Sequence, residues 1–130
     1  MKNRVMLTVV SVLAALLFSI HVTDDMVHGF DRVGVQNAGG LVILVVWLLG
    51  ALVAVERRSG LIIVLLAGVF ATAMPIMHWR GATVSSPEFA ASAGAFRFLW
   101  VLWALGTTGL FSVILAARAL WSLRKQPRAG

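Results

Sequence analysis

The sequence predicts an all-α fold, a four-helix transmembrane bundle with short loops, and three observations carry that prediction. Of its 130 residues 60% are hydrophobic and only 12% are charged. Mean hydropathy is +0.94, far outside the range of soluble domains. Four apolar segments, near residues 4–28, 38–56, 60–79 and 95–121, meet the roughly 20 residues that a helix needs to cross a bilayer core of about 30 Å. The connections between them leave no room for a soluble domain, so residues 1–130 read as a single integral membrane domain.

The first segment has the basic start Met1-Lys2-Asn3-Arg4 and the apolar run Val5 to Ile20 of a secretory leader. It lacks small residues at the cleavage spacing near Ile20, and the run is long for a signal core. An uncleaved helix is therefore expected. It should end at Gly29, a residue suited to a left-handed helix terminus. About 25 residues rise close to 37 Å, which sets His21 at a membrane boundary and His28 just above it.

The polar stretch Phe30 to Gln36 reads as a loop, with Asn37 as the cap of helix two. That helix should run to Glu56, with Gly39, Gly40, Gly50, Ala51 and Ala54 offering small surfaces to a neighbour. The turn Glu56-Arg57-Arg58-Ser59-Gly60 is tight enough to make helices two and three antiparallel neighbours. Helix three carries Gly68, Ala71 and Ala73 and then Pro75, which lacks a backbone donor and is expected to kink the outer end. The bend would swing Met74, Met77 and His78 toward helix one. In the longest loop, Ser85-Ser86-Pro87-Glu88 matches a helix start with Ser85 as cap and a short helix to about Ser92. Helix four has Arg97 one turn inside its outer end and Gly106-Thr107-Thr108-Gly109 near its middle. Trp79, Trp100 and Trp121, with Arg80, read as interfacial anchors.

Alternating crossings put Lys2, Arg4, Arg57, Arg58, Arg118, Arg124, Lys125 and Arg128 on one side, against Arg32, Arg80 and Arg97 on the other. The bias predicts both termini in the cytoplasm of a cell with the chain in its plasma (inner) membrane. The net charge of +6 then answers anionic lipid, so the bilayer is the expected partner and nucleic acid is not. With so little interior of its own, the chain is expected to form a homo-oligomer or to pack on a larger membrane protein.

Cysteine is absent, which excludes disulfides, thiolate metal sites and cysteine nucleophiles. No phosphate-loop pattern surrounds Gly39-Gly40, and no nucleophile turn suggests a hydrolase. The chemistry-bearing pattern is His21-x2-Asp24-Asp25-x2-His28. Its members fall at i, i+3, i+4 and i+7, one polar stripe at the end of an otherwise apolar helix. All three histidines of the chain are expected on the same side.

Two readings compete for the stripe, and a third follows from them. In the first, Asp24 and Asp25 pair with Arg97, Arg80 or Arg32 as an electrostatic clasp, because carboxylates at a lipid boundary need such partners. The chain would then be a structural or accessory membrane subunit. In the second, His21, Asp24, Asp25, His28 and His78 ligate a divalent metal or copper. Imidazole with carboxylate suits zinc, iron, manganese or copper, and an added thioether from Met74 or Met77 would tilt the choice to copper. The third reading is a proton-accepting cluster. It lacks a path, since helices two to four offer only Thr72, Thr107, Thr108 and Ser112 as interior polar groups. Asp24 and Asp25 differ by about 100° around the helix, so packing decides which faces inward.

Overall fold

The computed structural model describes residues 2–27, 38–80 and 83–125. Helix α1 spans Lys2–Val27, and α2 spans Ala38–Leu48 before a π-helical turn at Leu49–Val53. Helix α3 follows over Arg58–Arg80, then a 3₁₀ turn at Thr83–Ser85, a single-turn α4 at Pro87–Ala90 and α5 over Ala95–Lys125. No strand occurs among the described residues. Three helices, α1, α3 and α5, are long and apolar enough to cross a membrane.

The burial pattern fits a bundle solvated by lipid. On α1 the inward residues are Leu7, Ser11, Ala14, Ala15, Phe18, His21, Asp24 and Asp25, while Val5, Val9, Leu13 and Leu16 point outward. The inside is thus smaller and more polar than the outside, the reverse of a water-soluble helix and the arrangement that packing in hydrocarbon favours.

The most extensive packing joins α3 and α5. A Cβ on Gly68 would stand 2.9 Å from the Gly109 carbonyl oxygen, and one on Gly109 would stand 2.7 Å from the Ala71 Cβ. Only residues without side chains allow the two backbones to meet there. Helix α1 lies chiefly against α5 and also touches α2 and α3. Trp47, the one buried residue of α2 before its π turn, donates its indole N–H to Ser11 Oγ at 2.8 Å. Phe18 packs at a tilt against Trp47 and edge to face against Phe70.

Several expected boundaries shift. Helix two does not run uninterrupted to Glu56. It passes into the π turn, where the Ala54 N–H reaches back five residues to the Leu49 carbonyl at 3.0 Å, and it ends at Val53. Packing explains this. A Cβ on Gly50 would stand 2.6 Å from Ile63, and one on Gly60 would collide with the Ala54 carbonyl. The wider turn also presents the Ala51 carbonyl to Thr8 Oγ1 at 3.3 Å and the Val55 carbonyl to Arg4. In all, α2 and its π turn rise only about 24 Å, less than a bilayer core. Helix three starts at Arg58 and continues through Pro75 to Arg80.

The cap of the short helix is Ser86, not Ser85. Its hydroxyl accepts the Phe89 N–H at 3.1 Å, which puts Pro87 at the first helical position, where its missing donor costs nothing. That helix stops at Ala90 rather than Ser92. Gly94, at φ 113°, turns the chain into α5 through a conformation that favours glycine. The expected Gly29 terminus, the 30–36 loop, the Asn37 cap, Arg32 and His28 lie outside the described residues.

Candidate metal centre

At the end of the bundle where α1 finishes, α3 finishes and α5 begins, four members of the expected site come together. His21 is 1% exposed, Asp24 3% and Asp25 8%. Both acids are therefore inward, and they divide. Since α1 packs against both α3 and α5, an angular step of about 100° aims one acid at each neighbour.

Asp24 turns to α5, where Oδ1 receives Nη2 of Arg97 at 2.5 Å. Arg97 keeps 61% of its side chain exposed, so the ion pair joins a buried carboxylate to a guanidinium still in contact with the surroundings. This is the expected clasp, made by one acid of the two.

Asp25 turns to the histidines. Its Oδ2 lies 3.4 Å from His21 Nε2, one turn back on the same helix, and its Oδ1 lies 3.3 Å from His78 Nε2 on α3. The two rings stand edge to face with centroids 4.7 Å apart. One ligand atom from each of His21, Asp25 and His78 falls within a group no wider than 4.8 Å. Ligand atoms at about 2.0–2.2 Å from a tetrahedral zinc ion stand roughly 3.3–3.6 Å apart. The two carboxylate-to-imidazole separations fall near that spacing through different oxygens of Asp25, so a set with one ligand atom from each residue, up to 4.8 Å wide, must draw together by about 1 Å to reach it.

The hydrogen bonding of His78 sharpens this. Its Nδ1 lies 3.1 Å from the Met74 main-chain oxygen. A carbonyl only accepts, so Nδ1 carries the proton, and a neutral ring must present the Nε2 lone pair to a carboxylate oxygen. Two acceptors face each other there. The contact calls for a proton, on Nε2 or on the carboxyl oxygen, or for a metal ion between them. A backbone carbonyl that fixes the tautomer of a ligating histidine is also the usual outer support of metal sites.

Phe98 on α5, fully buried, covers the cluster, with ring centroids 5.4 Å from His21 and 5.7 Å from His78. Phe89 of α4 packs on Phe98 in turn at 5.4 Å. This apolar cover was not foreseen from the sequence. Its signal was the position beside Arg97, which the helical period turns about 100° away from the clasp.

Of the remaining expectations, His28 lies outside the described residues and Met77 is exposed on α3. Met74 is buried in the core and meets the site through its main-chain oxygen. The threonines that might have carried protons inward are occupied locally. Thr72, Thr107 and Thr108 each donate to a carbonyl one turn earlier on their own helix. Comparison with known protein families, with curated proteins and with solved structures finds no match to this chain.

Proposed function

We propose that this chain is a small multi-pass membrane protein that holds a divalent transition-metal ion between His21, Asp25 and His78. In this reading four segments cross the plasma (inner) membrane, the short second one by locally thinning the bilayer, both termini are cytoplasmic, and the site opens on the outer side. The observation that carries the reading is the convergence of two imidazole nitrogens and one carboxylate from two helices within 4.8 Å, in a buried position where a lone carboxylate is costly.

Two nitrogens and one oxygen form a donor set for zinc, iron(II) or manganese, with a weaker claim for copper because the set of three includes no sulfur. Among the described residues three protein ligands are supplied, which leaves a fourth position for His28, water or a small ligand; an open position is the pattern of sites that exchange or activate rather than merely brace. Asp24 and Arg97 hold α1 to α5 beside the ion and keep the second carboxylate out of the coordination sphere.

The test is metal content of untagged protein purified in mild detergent. Near-stoichiometric metal, lost in His21→Gln and in His78→Gln but retained in Arg97→Gln, supports the site. No metal in the native chain after incubation with zinc, iron(II) or manganese would sink it.

The second reading is the structural or accessory subunit, favoured by the Asp24–Arg97 ion pair. There a proton joins Asp25 and His78, and the end of the bundle is a brace. The outward apolar face of α2, with Leu41, Val42, Val45 and Val46 exposed, would meet lipid, a second copy or a larger membrane protein. Cross-linking in native membranes separates these partners.

A further inference from the structure

The opposite end of the bundle carries charge of the other sign. Lys2, Arg4, Arg57, Arg58, Arg118, Arg124 and Lys125 gather where α1 begins, α3 begins and α5 ends, and Glu56 is the one acid among the described residues there. Between the first turn of α1 and the last turns of α5 lies a cleft of about 400 Å³. Asn3, Arg4, Arg118 and Ser122 give it a polar rim, and Met6 and Leu115 give it an apolar wall. We propose that this cleft is a binding site for the phosphodiester headgroup of an anionic phospholipid, with the start of an acyl chain against Met6 and Leu115.

Three features support the assignment. Arg4 is held in place by its bond to the Val55 carbonyl, and its contact with Glu56 is a long 3.6 Å to a largely exposed carboxylate. A guanidinium has five donors in a planar fork, so most of its capacity is left for a phosphate. Arg118 is exposed and makes no ion pair among the described residues. Two guanidinium groups converging on one cleft suit phosphate geometry better than two ammonium groups would. Finally, α5 has 31 residues and rises about 46 Å, well beyond a hydrocarbon core of about 30 Å. Its last turns therefore reach headgroup depth. The mixed lining fits an amphiphile better than a free anion, for which the apolar wall serves no purpose.

The experiment is native mass spectrometry of the full chain released from mild detergent with added phosphatidylglycerol or phosphatidylcholine. The native chain should retain about one phosphatidylglycerol in preference to phosphatidylcholine. Arg118→Gln, an exposed position whose loss leaves the fold intact, should weaken that retention about fivefold. Arg124→Gln, equally exposed but outside the cleft, should leave it unchanged. Arg4→Gln should act like Arg118→Gln, but it also breaks the bond to Val55 and so serves only as support. Equal retention of both lipids, equal effects of Arg118→Gln and Arg124→Gln, or displacement of the lipid by millimolar inorganic phosphate would each overturn the proposal.

Discussion

A Cβ on Gly106 would stand 2.6 Å from the Cγ of Pro75, so the proline ring of α3 fills the hollow that a glycine leaves in α5. His78 follows three residues later on α3, and this seat therefore fixes where its imidazole hangs over Asp25. Gly106→Ala should force the helices apart, because neither a proline ring nor the backbone behind it can yield. Overpacking of this kind costs about 1–3 kcal/mol. The expected result is a lower thermal midpoint in detergent together with weaker metal retention. Gly39→Ala is the control: nothing lies within 4 Å of its Cβ position, so stability should hold or rise slightly. Equal midpoints for the two variants would contradict the packing argument.

Trp47 and Ser11 form the polar link between α1 and α2. Both are fully buried, with Nε1 to Oγ at 2.8 Å. Removing either partner strands the other in an apolar surround, at about 1–2 kcal/mol. Ser11→Ala and Trp47→Phe should each destabilise the chain, and the double variant should cost less than the sum of the two. Chemical unfolding in mixed micelles measures this directly, and strict additivity would mean that the bond contributes nothing.

What the sequence made legible follows from which forces act locally. Long apolar runs identify α1, α3 and α5 because span length and hydropathy do not depend on neighbours. The polar stripe was visible because helical spacing puts His21, Asp24 and Asp25 together whatever surrounds them. The roles of the two acids were not, since Asp24 turning to Arg97 and Asp25 turning to His78 depend on how α1 packs against two other helices. The π turn at Leu49–Val53 was hidden for the same reason. It arises from the contact of Gly50 with Ile63 and of Gly60 with Ala54, both between elements. The cap at Ser86 rather than Ser85 was a choice between adjacent hydroxyls, which Pro87 decides by its preference for the first helical position.

The Asp24–Arg97 pair should separate from the metal group in a double-mutant comparison. Arg97→Gln leaves a buried carboxylate short of its charge partner, and a loss of about 1–3 kcal/mol is expected, toward the low end because the guanidinium is well exposed. Asp24→Asn/Arg97→Gln together should recover part of that loss, since no uncompensated charge remains. Metal content should be unchanged in both variants. If Arg97→Gln empties the site, the clasp and the ligand set are one unit rather than two.

The last prediction concerns the donor atoms themselves. Coordinating imidazoles must be unprotonated, so protons and metal compete for His21 and His78, and the bound metal should fall as the solution is acidified. Zinc retained near pH 8 and released by about pH 5 is the expected direction. Met77→Leu should change nothing, because Met77 is exposed. Met74→Leu should also retain metal, because the contact to His78 comes from the main-chain oxygen and survives loss of the sulfur. Zinc content measured across pH for these variants and for Asp25→Asn tests all of this together. Only Asp25→Asn should lower occupancy at the alkaline end, since it removes the carboxylate that both imidazoles face. Loss of metal in Met74→Leu would bring the thioether into the coordination sphere and move the assignment toward copper.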